Sequence, residues 1–408
     1  MEDFTSFVKD ELSQKIGIGD WRFPQYFDKP INLGLIKESL IAQKEIIELF
    51  FSKVKELAQT ALINRDDEIN RILFSEAPSG MTIEYHQSLP KCCWNSPIIY
   101  RTDQSLSGKI YEIQAPGSGW GDLYLYALCL KRLGYVIPPE YFEFPALYAK
   151  NISDATGKET PHVFHMVDAA SVPYSARYLQ AITSNYIKYW GLNHEVKMDD
   201  LDCIISHSVV SITTSNYFKT YLQKAENKKI VFSTSPNLIY DEKAIYILPF
   251  HRKIKSFFPE EIRSIFPFTT FIENNGFFDE NDNFISLDSF IKRKPHDRKY
   301  YLKYGGPDTN RNWGSRTVFR LNGNDCERLL MKANALAQKG EIWLIQEDVS
   351  QNISDIFYPQ DIANILREGN HLKISGYYGI HKLFGIKVMA RHHFKVHGQV
   401  DTLVGLGI

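Results

Sequence analysis

Arg101, Asp103, Glu112 and Gln114 fall in the segment YRTDQSLSGKIYEIQ, as two pairs of polar residues each spaced by two. In a β-strand that spacing puts both members of a pair on one face, and a hairpin turning at Ser107-Gly108 brings the pairs together. Two carboxylates and an amide oxygen are hard donors of the kind Mg²⁺ accepts when nucleotide phosphates complete its shell. The same residues also suit the solvated outer face of an ordinary hairpin.

A second set lies in DRKYYLKYGGPDTNRNWGSRTVF, residues 297–319. A strand ending at Lys303 runs into a loop with Gly305, Gly306 and Gly314, so backbone N–H groups can close over phosphates while the lysine neutralises them. A surface hairpin with a long tip is the alternative. In EIWLIQEDV, residues 341–349, an apolar strand stops at Gln346-Glu347, which offers polar groups at the edge of an apolar slot, although many strands end this way as they leave the core. Lys243 opens the apolar segment KAIYILP, with Lys253 ten residues on. Near the C-terminus Arg391, His392, His393, His397 and Asp401 cluster, but adjacent histidines on a strand point to opposite faces, which argues against zinc.

These side chains need rigid elements to hold them. Residues 34–63 repeat apolar positions at three- and four-residue spacing and predict an amphipathic helix. Residues 97–116 predict the hairpin, followed by a Gly-rich corner, GSGWGD, and a helix over LYLYALCLKRLG. From 162 to 250 strand and helix patterns alternate: HVFHMVDAA, then a helix through SARYLQAITSNYIKYWGL, LDCIISHSVV, a helix over SNYFKTYLQKAE, and KKIVFSTSP. That rhythm predicts a Rossmann-like parallel layer. No GxGxxG follows these strands and no GxxxxGK[ST] occurs, so neither a dinucleotide fingerprint nor a P-loop is present. Beyond 251, short strands and the helix CERLLMKANALAQKG predict an α+β part. Linkers are expected at 151–160 and 274–299. The chain thus divides into a helical scaffold at 1–96, a metal-hairpin stretch at 97–160, the α/β layer at 161–250 and a nucleotide-binding part at 251–408.

Composition narrows the function classes. Over 408 residues, 47 Lys and Arg against 48 Asp and Glu leave a net charge of −1, so no global basic field draws the chain to nucleic acid or anionic lipid. No segment approaches the roughly 20 apolar residues of a membrane span. The start lacks a charged region followed by an apolar one, which places the expectation in the cytoplasm. Five scattered cysteines without a CxxC pair suit buried, inert thiols rather than disulfides or zinc.

Taken in order, the run from Arg101 to Gln114, the Lys243 segment, the Lys303 strand with its Gly-rich loop, Gln346-Glu347 and the Arg391 strand resemble the glutathionylspermidine synthase type of ATP-grasp ligase. In that circularly permuted type an R-x-D … E-x-N hairpin precedes the nucleotide-binding lysines. The resemblance covers about 97–391, with Gln114 standing where the family has Asn. It implies an ATP-grasp fold, and ATP and Mg²⁺ as cofactors. Asp103, Glu112 and Gln114 would be metal ligands, and Arg101 and Arg391 would meet the transferred phosphoryl group. Lys243 and Lys303 would contact phosphates, Gly305 and Gly306 would belong to a closing loop, and Gln346 and Glu347 would hold the adenine end.

The implied activity joins a small-molecule carboxylate to an amine. Phosphorylation by ATP gives the carboxylate a leaving group, and the amine captures the acyl phosphate in a site kept free of water. A phosphotransferase on the same scaffold, a non-catalytic nucleotide-binding module, and a nucleic-acid binder using the basic run 292–303 are the rivals, the last disfavoured by the near-neutral charge. His86, Trp94, Trp120, Asp122 and Arg316 are further pocket candidates by their proximity in sequence.

Overall fold

Leu40, Ile47, Phe50, Phe51, Val54, Ala58, Ala61 and Leu62 are buried along one 30-residue helix, Leu35–Asn64, where three- and four-residue spacing makes a continuous apolar stripe. The stripe packs in one core with Tyr100, Ile374, Tyr378, Ile386 and Val388 of a central sheet. The computed structural model describes residues 3–17, 23–74, 83–114, 119–166, 174–190, 198–206, 218–227, 229–240, 242–306, 316–349, 359–393, 395–396 and 401–408.

The central sheet has six strands in the order Gln25–Tyr26, Leu403–Gly407, Leu383–Arg391, His371–Gly379, Ile99–Gln104 and Ile110–Gln114. Every pairing is antiparallel except that of Gln25–Tyr26 with Leu403–Gly407. The expected hairpin is therefore its edge. Gly108, at φ +79°, makes the turn, and Gln43 of the long helix donates to its carbonyl at 2.7 Å. The opposite face of the sheet packs Tyr377, Phe384, Met389 and Leu406 against the helices Phe4–Ile16, Trp120–Arg132 and Phe144–Thr156.

A second, four-stranded antiparallel sheet runs Val318–Arg320, Tyr300–Tyr304, Trp343–Glu347, Thr269–Phe271. The helix Cys326–Ala337 covers its outer face. The third sheet is parallel, in the order Lys188–Trp190, His162–Met166, Cys203–Ser206, Val231–Phe232, as the alternating pattern predicts. The architecture is thus mixed α and β in several sheets. The central sheet draws on residues from three of the four stretches into which the sequence divides.

Three local expectations are corrected. The helix expected through SARYLQAITSNYIKYWGL spans only Tyr174–Thr183, and Lys188–Trp190 is a strand. Thr183 turns its hydroxyl back to the Leu179 carbonyl at 2.6 Å, and the aromatic and β-branched residues that follow suit extended backbone. Residues 151–156 of the expected linker continue the helix Phe144–Thr156, held by Asn151 donating to the Leu147 carbonyl and by the Lys150–Asp154 ion pair. The 274–299 stretch folds into the hairpin Gly276–Phe278 and Phe284–Ser286 and the short helix Leu287–Ile291.

Candidate functional site

Strand alternation and register build one polar face on the central sheet. Arg101 and Asp103 share a face because they are two apart. Across the ladder Gln114 stands opposite Arg101 and Glu112 opposite Asp103; on the other side Tyr377 stands opposite Arg101 and Ser375 opposite Asp103, with Lys387 opposite Ser375 in turn. Glu112, Asp103, Ser375 and Lys387 therefore form one row over four strands. The face is polar in the midst of otherwise apolar strands.

Asp103 is fully buried and saturated with donors. Arg101 donates Nε to Oδ1 and Nη2 to Oδ2, both at 3.0 Å; Lys373 Nζ lies 3.0 Å from Oδ2, and Ser375 Oγ lies 2.7 Å from Oδ1. Burial alone would push this carboxyl up; the Arg101 guanidinium, the Lys373 ammonium and the Ser375 hydroxyl outweigh it and hold the group well below the usual carboxylate range. Burial lowers the Lys373 ammonium, with Asp103 working against it.

Farther along the row Lys387 donates to Asp122 Oδ2 at 2.9 Å, and both side chains are buried. Asp122 sits in the first turn of the helix Trp120–Arg132. Gly119, just before it at φ +82°, brings its backbone so close that a Cβ would lie 2.6 Å from Lys387 Nζ and 2.9 Å from Asp122 Oδ2. Burial opposes the Lys387 charge, but Asp122 and Tyr377 raise its proton affinity overall.

The second sheet approaches the hairpin through Lys303. Lys303 donates to Gln346 Oε1, and Gln346 Nε2 donates to Thr269 Oγ1 at 3.0 Å. The Lys303 ammonium also lies 5.4 Å from the centre of the Tyr111 ring on the hairpin. Lys243 opens the buried 3₁₀ helix Lys243–Phe250, and its Nζ stands 3.4 Å from Glu112 Oε1. Burial, and Lys243 after the opposing pull of Glu112, lower Lys303 to about 8. Lys109 anchors the hairpin's turn to the carbonyls of Ser264 and Phe266, at 2.7 and 3.2 Å.

The structure therefore brings together Arg101, Asp103, Glu112, Gln114, Lys243, Lys303 and Gln346. Gly305 donates its N–H to the Ile342 carbonyl at 2.9 Å and is packed so that a Cβ would touch Ile342 and Leu344; Gly306 is buried after it. Gly314 and His397 lie outside the described residues. Glu347 is exposed, and its backbone N–H donates to the Phe268 carbonyl at 2.8 Å. Arg391 pairs in register with His371, four residues beyond Ser375, about 13 Å along the strand. Its guanidinium is engaged by Asp401 and by the Lys395 carbonyl. His86, Trp94 and Trp120 are core residues; His86, packed on Phe74 and Tyr85, is pulled down to about 3 by burial. Arg316 is exposed.

Sequence reasoning missed Lys373, Ser375 and Lys387, and the Arg320–Asp348 pair at 2.7 Å on the second sheet. The signal was available: in HLKISGYYG and LFGIKVMAR, Lys373, Ser375 and Lys387 interrupt strands that are otherwise almost wholly apolar.

Mg²⁺ requires oxygen lone pairs in near-octahedral array. Asp103 offers at most about four, and four donors occupy them. The set Asp103, Glu112 and Gln114 does not fit a metal in this arrangement, and among the described residues no group of three or more His, Cys, Asp or Glu side chains is placed to hold one. Glu112 and Gln114, both half-buried, keep oxygens outside the Asp103 cluster. The cations Arg101, Lys243, Lys303 and Lys373, by contrast, are the donor chemistry of a polyanion site. Among the described residues no helix is long and apolar enough to cross a membrane. The cysteines are free, and Cys93, Cys129, Cys203 and Cys326 are buried.

No protein-family model matches the chain, and no curated protein does. Among solved structures it is similar to the apo form of a glutathione synthetase-like effector, GSS30, from Globodera pallida, with a TM-score of 0.51 at 11% identity over 99% of this chain and 96% of that one. At that identity the likeness is one of fold, and it extends from end to end.

Proposed function

We propose that this chain is an ATP-grasp protein that uses ATP to join a small-molecule carboxylate to an amine. The observation that carries the reading is the meeting of Lys303 and Lys243 with the hairpin carboxylate Glu112, between two sheets, on a fold shared with a glutathione synthetase-like protein.

In this reading the triphosphate lies in the seam between the sheets. Lys243 and Lys303 neutralise its phosphates, and an arriving anion would hold the proton that burial loosens on Lys303. Arg101, locked by Asp103, presents a guanidinium of fixed orientation to the γ-phosphoryl group. A substrate carboxylate oxygen attacks that phosphorus and ADP leaves; the amine then attacks the acyl carbon, phosphate leaves, and the amine loses a proton. Gln346 and Glu347 border the adenine end, and Arg391 reaches the phosphates only by releasing Asp401.

One observation favours a second reading, a nucleotide-binding module without catalysis: Asp103 is committed to Arg101, Lys373 and Ser375 rather than open to a metal. Calorimetric titration with a non-hydrolysable ATP analogue tests what the two share. Binding by the wild type that weakens tenfold or more in Lys303→Ala supports the site, and no binding by the folded wild type rejects both. Trapping an acyl phosphate as its hydroxamate, with hydroxylamine and candidate carboxylates, separates ligase from module.

A further inference from the structure

We propose that the ammonium of Lys373 takes the place of a divalent metal at Asp103, so that a bound anion is met there by a fixed lysine rather than by an ion recruited from solution. The inference rests on the same cleft being an anion site, but not on ligase chemistry.

The contacts at Asp103 are those of a filled coordination shell. Oδ1 takes Arg101 Nε at 3.0 Å and Ser375 Oγ at 2.7 Å; Oδ2 takes Arg101 Nη2 and Lys373 Nζ, both at 3.0 Å. Each oxygen thus has two donors, which is its capacity. Register fixes where the ammonium stands. Asp103 lies between Glu112 on one neighbouring strand and Ser375 on the other, and Lys373 precedes Ser375 by two residues on the same face. Its charge interacts with both carboxylates, Asp103 and Glu112. A cation attracted to that carboxylate pair finds the position taken.

Burial makes the arrangement hard to undo. Asp103 has no exposed surface, and Lys373 is 8% exposed. A metal that displaced the lysine would leave an ammonium stranded in a dry site, and removal of one partner from a buried pair is strongly unfavourable. Two further cations, Arg101 and Lys387, line the same face and repel an incoming one. The second of the two metal-facing carboxylates of the family pattern, Glu112, meets its own lysine, Lys243, at 3.4 Å. Each carboxylate of the hairpin is therefore matched by an internal ammonium from elsewhere in the chain.

Mn²⁺ titration of the ligand-free protein, followed by electron paramagnetic resonance of the free ion, is the test, with ATP affinity measured in parallel in EDTA and in Mg²⁺. The wild type should retain no Mn²⁺ at Asp103. Lys373→Met, which keeps the apolar stem and removes the charge, should gain a Mn²⁺ site at least roughly tenfold tighter, because a like charge a few ångströms away opposes a cation by more than that. The gain should vanish in the double variant Lys373→Met, Asp103→Asn. A wild type that binds one Mn²⁺ and loses it in Asp103→Asn overturns the proposal without any reference to Lys373→Met. A folded Lys373→Met that gains nothing overturns it as well. If ATP fails to bind under either condition while the Mn²⁺ results hold, the nucleotide reading falls and the lysine-for-metal exchange stands.

Discussion

Gln346 clamps Lys303: its Oε1 accepts from the ammonium while its Nε2 donates to Thr269 Oγ1 at 3.0 Å, and the amide is 1% exposed. Both ends of the side chain are used, so the lysine is held by a neutral acceptor that stabilises the charge less than a carboxylate would. That choice leaves the ammonium available to an anion. Replacing the clamp by an apolar side chain strands a buried charge. We expect Gln346→Leu to cost about 1–3 kcal/mol of stability, read from denaturant midpoints. An unchanged midpoint would show that Lys303 has another partner.

Asp103 behaves as an internal counter-ion, and its titration follows. Its carboxyl is held below its ordinary 3.8 in the folded protein, so its contribution to stability is complete above that pH and is lost progressively as pH falls below it. The hairpin carboxylate, whose sequence setting also suits a solvated outer face, is instead buried beneath two cations. Asp103→Asn should therefore lower stability at neutral pH by about 3–5 kcal/mol, as loss of one member of a buried ion pair does. The acid slope of stability below pH 4 should flatten in the variant. A neutral or stabilising effect would mean that Asp103 repels its surroundings, as a metal ligand without its metal does.

Much of this site was legible as residue types on a strand, and little of it as partnership. The two-residue spacing of Arg101 with Asp103 and of Glu112 with Gln114 placed four side chains on one face, because strand alternation is a local property. Which distant strand completes that face is not local. Lys373 and Ser375 reach Asp103 across some 270 residues, and only the central sheet's order, with the hairpin beside His371–Gly379, joins them. The linear division of the chain failed to anticipate this for the same reason. Helices were read well where one stripe sufficed, as in Leu35–Asn64. They were misread at 151–156, where Asn151, Asp154 and Thr156 look like loop residues but bond to the preceding turn.

Lys387 and Asp122 form the other buried pair of the row, and the neighbouring glycine leaves no room for change. Gly119→Ala places a methyl group 2.6 Å from Lys387 Nζ and asks alanine to adopt φ +82°. The left-handed conformation alone costs about 1 kcal/mol, and displacement of the ion pair adds to it. We expect a melting temperature lower by several degrees. Gly157→Ala, at φ +68° with no atom within 4 Å of its Cβ, isolates the conformational part. Equal losses in the two variants would show that Lys387 and Asp122 yield without cost.

Lys303 sets the pH dependence of anion binding. Its ammonium is lowered to about 8 from an ordinary 10.5, chiefly by burial, so in the ligand-free protein it is charged below that pH and largely neutral above it. An anion binds the charged form. Affinity for a non-hydrolysable ATP analogue should be nearly flat between pH 6.5 and 7.5 and fall by roughly tenfold per unit above 8, until the proton is also lost from the complex. Lys303→Arg keeps its charge throughout this range and should abolish the decline, whatever it does to absolute affinity. Binding by the wild type that stays flat to pH 9.5 would place the phosphates away from Lys303, and the seam between the two sheets would lose its claim to the nucleotide.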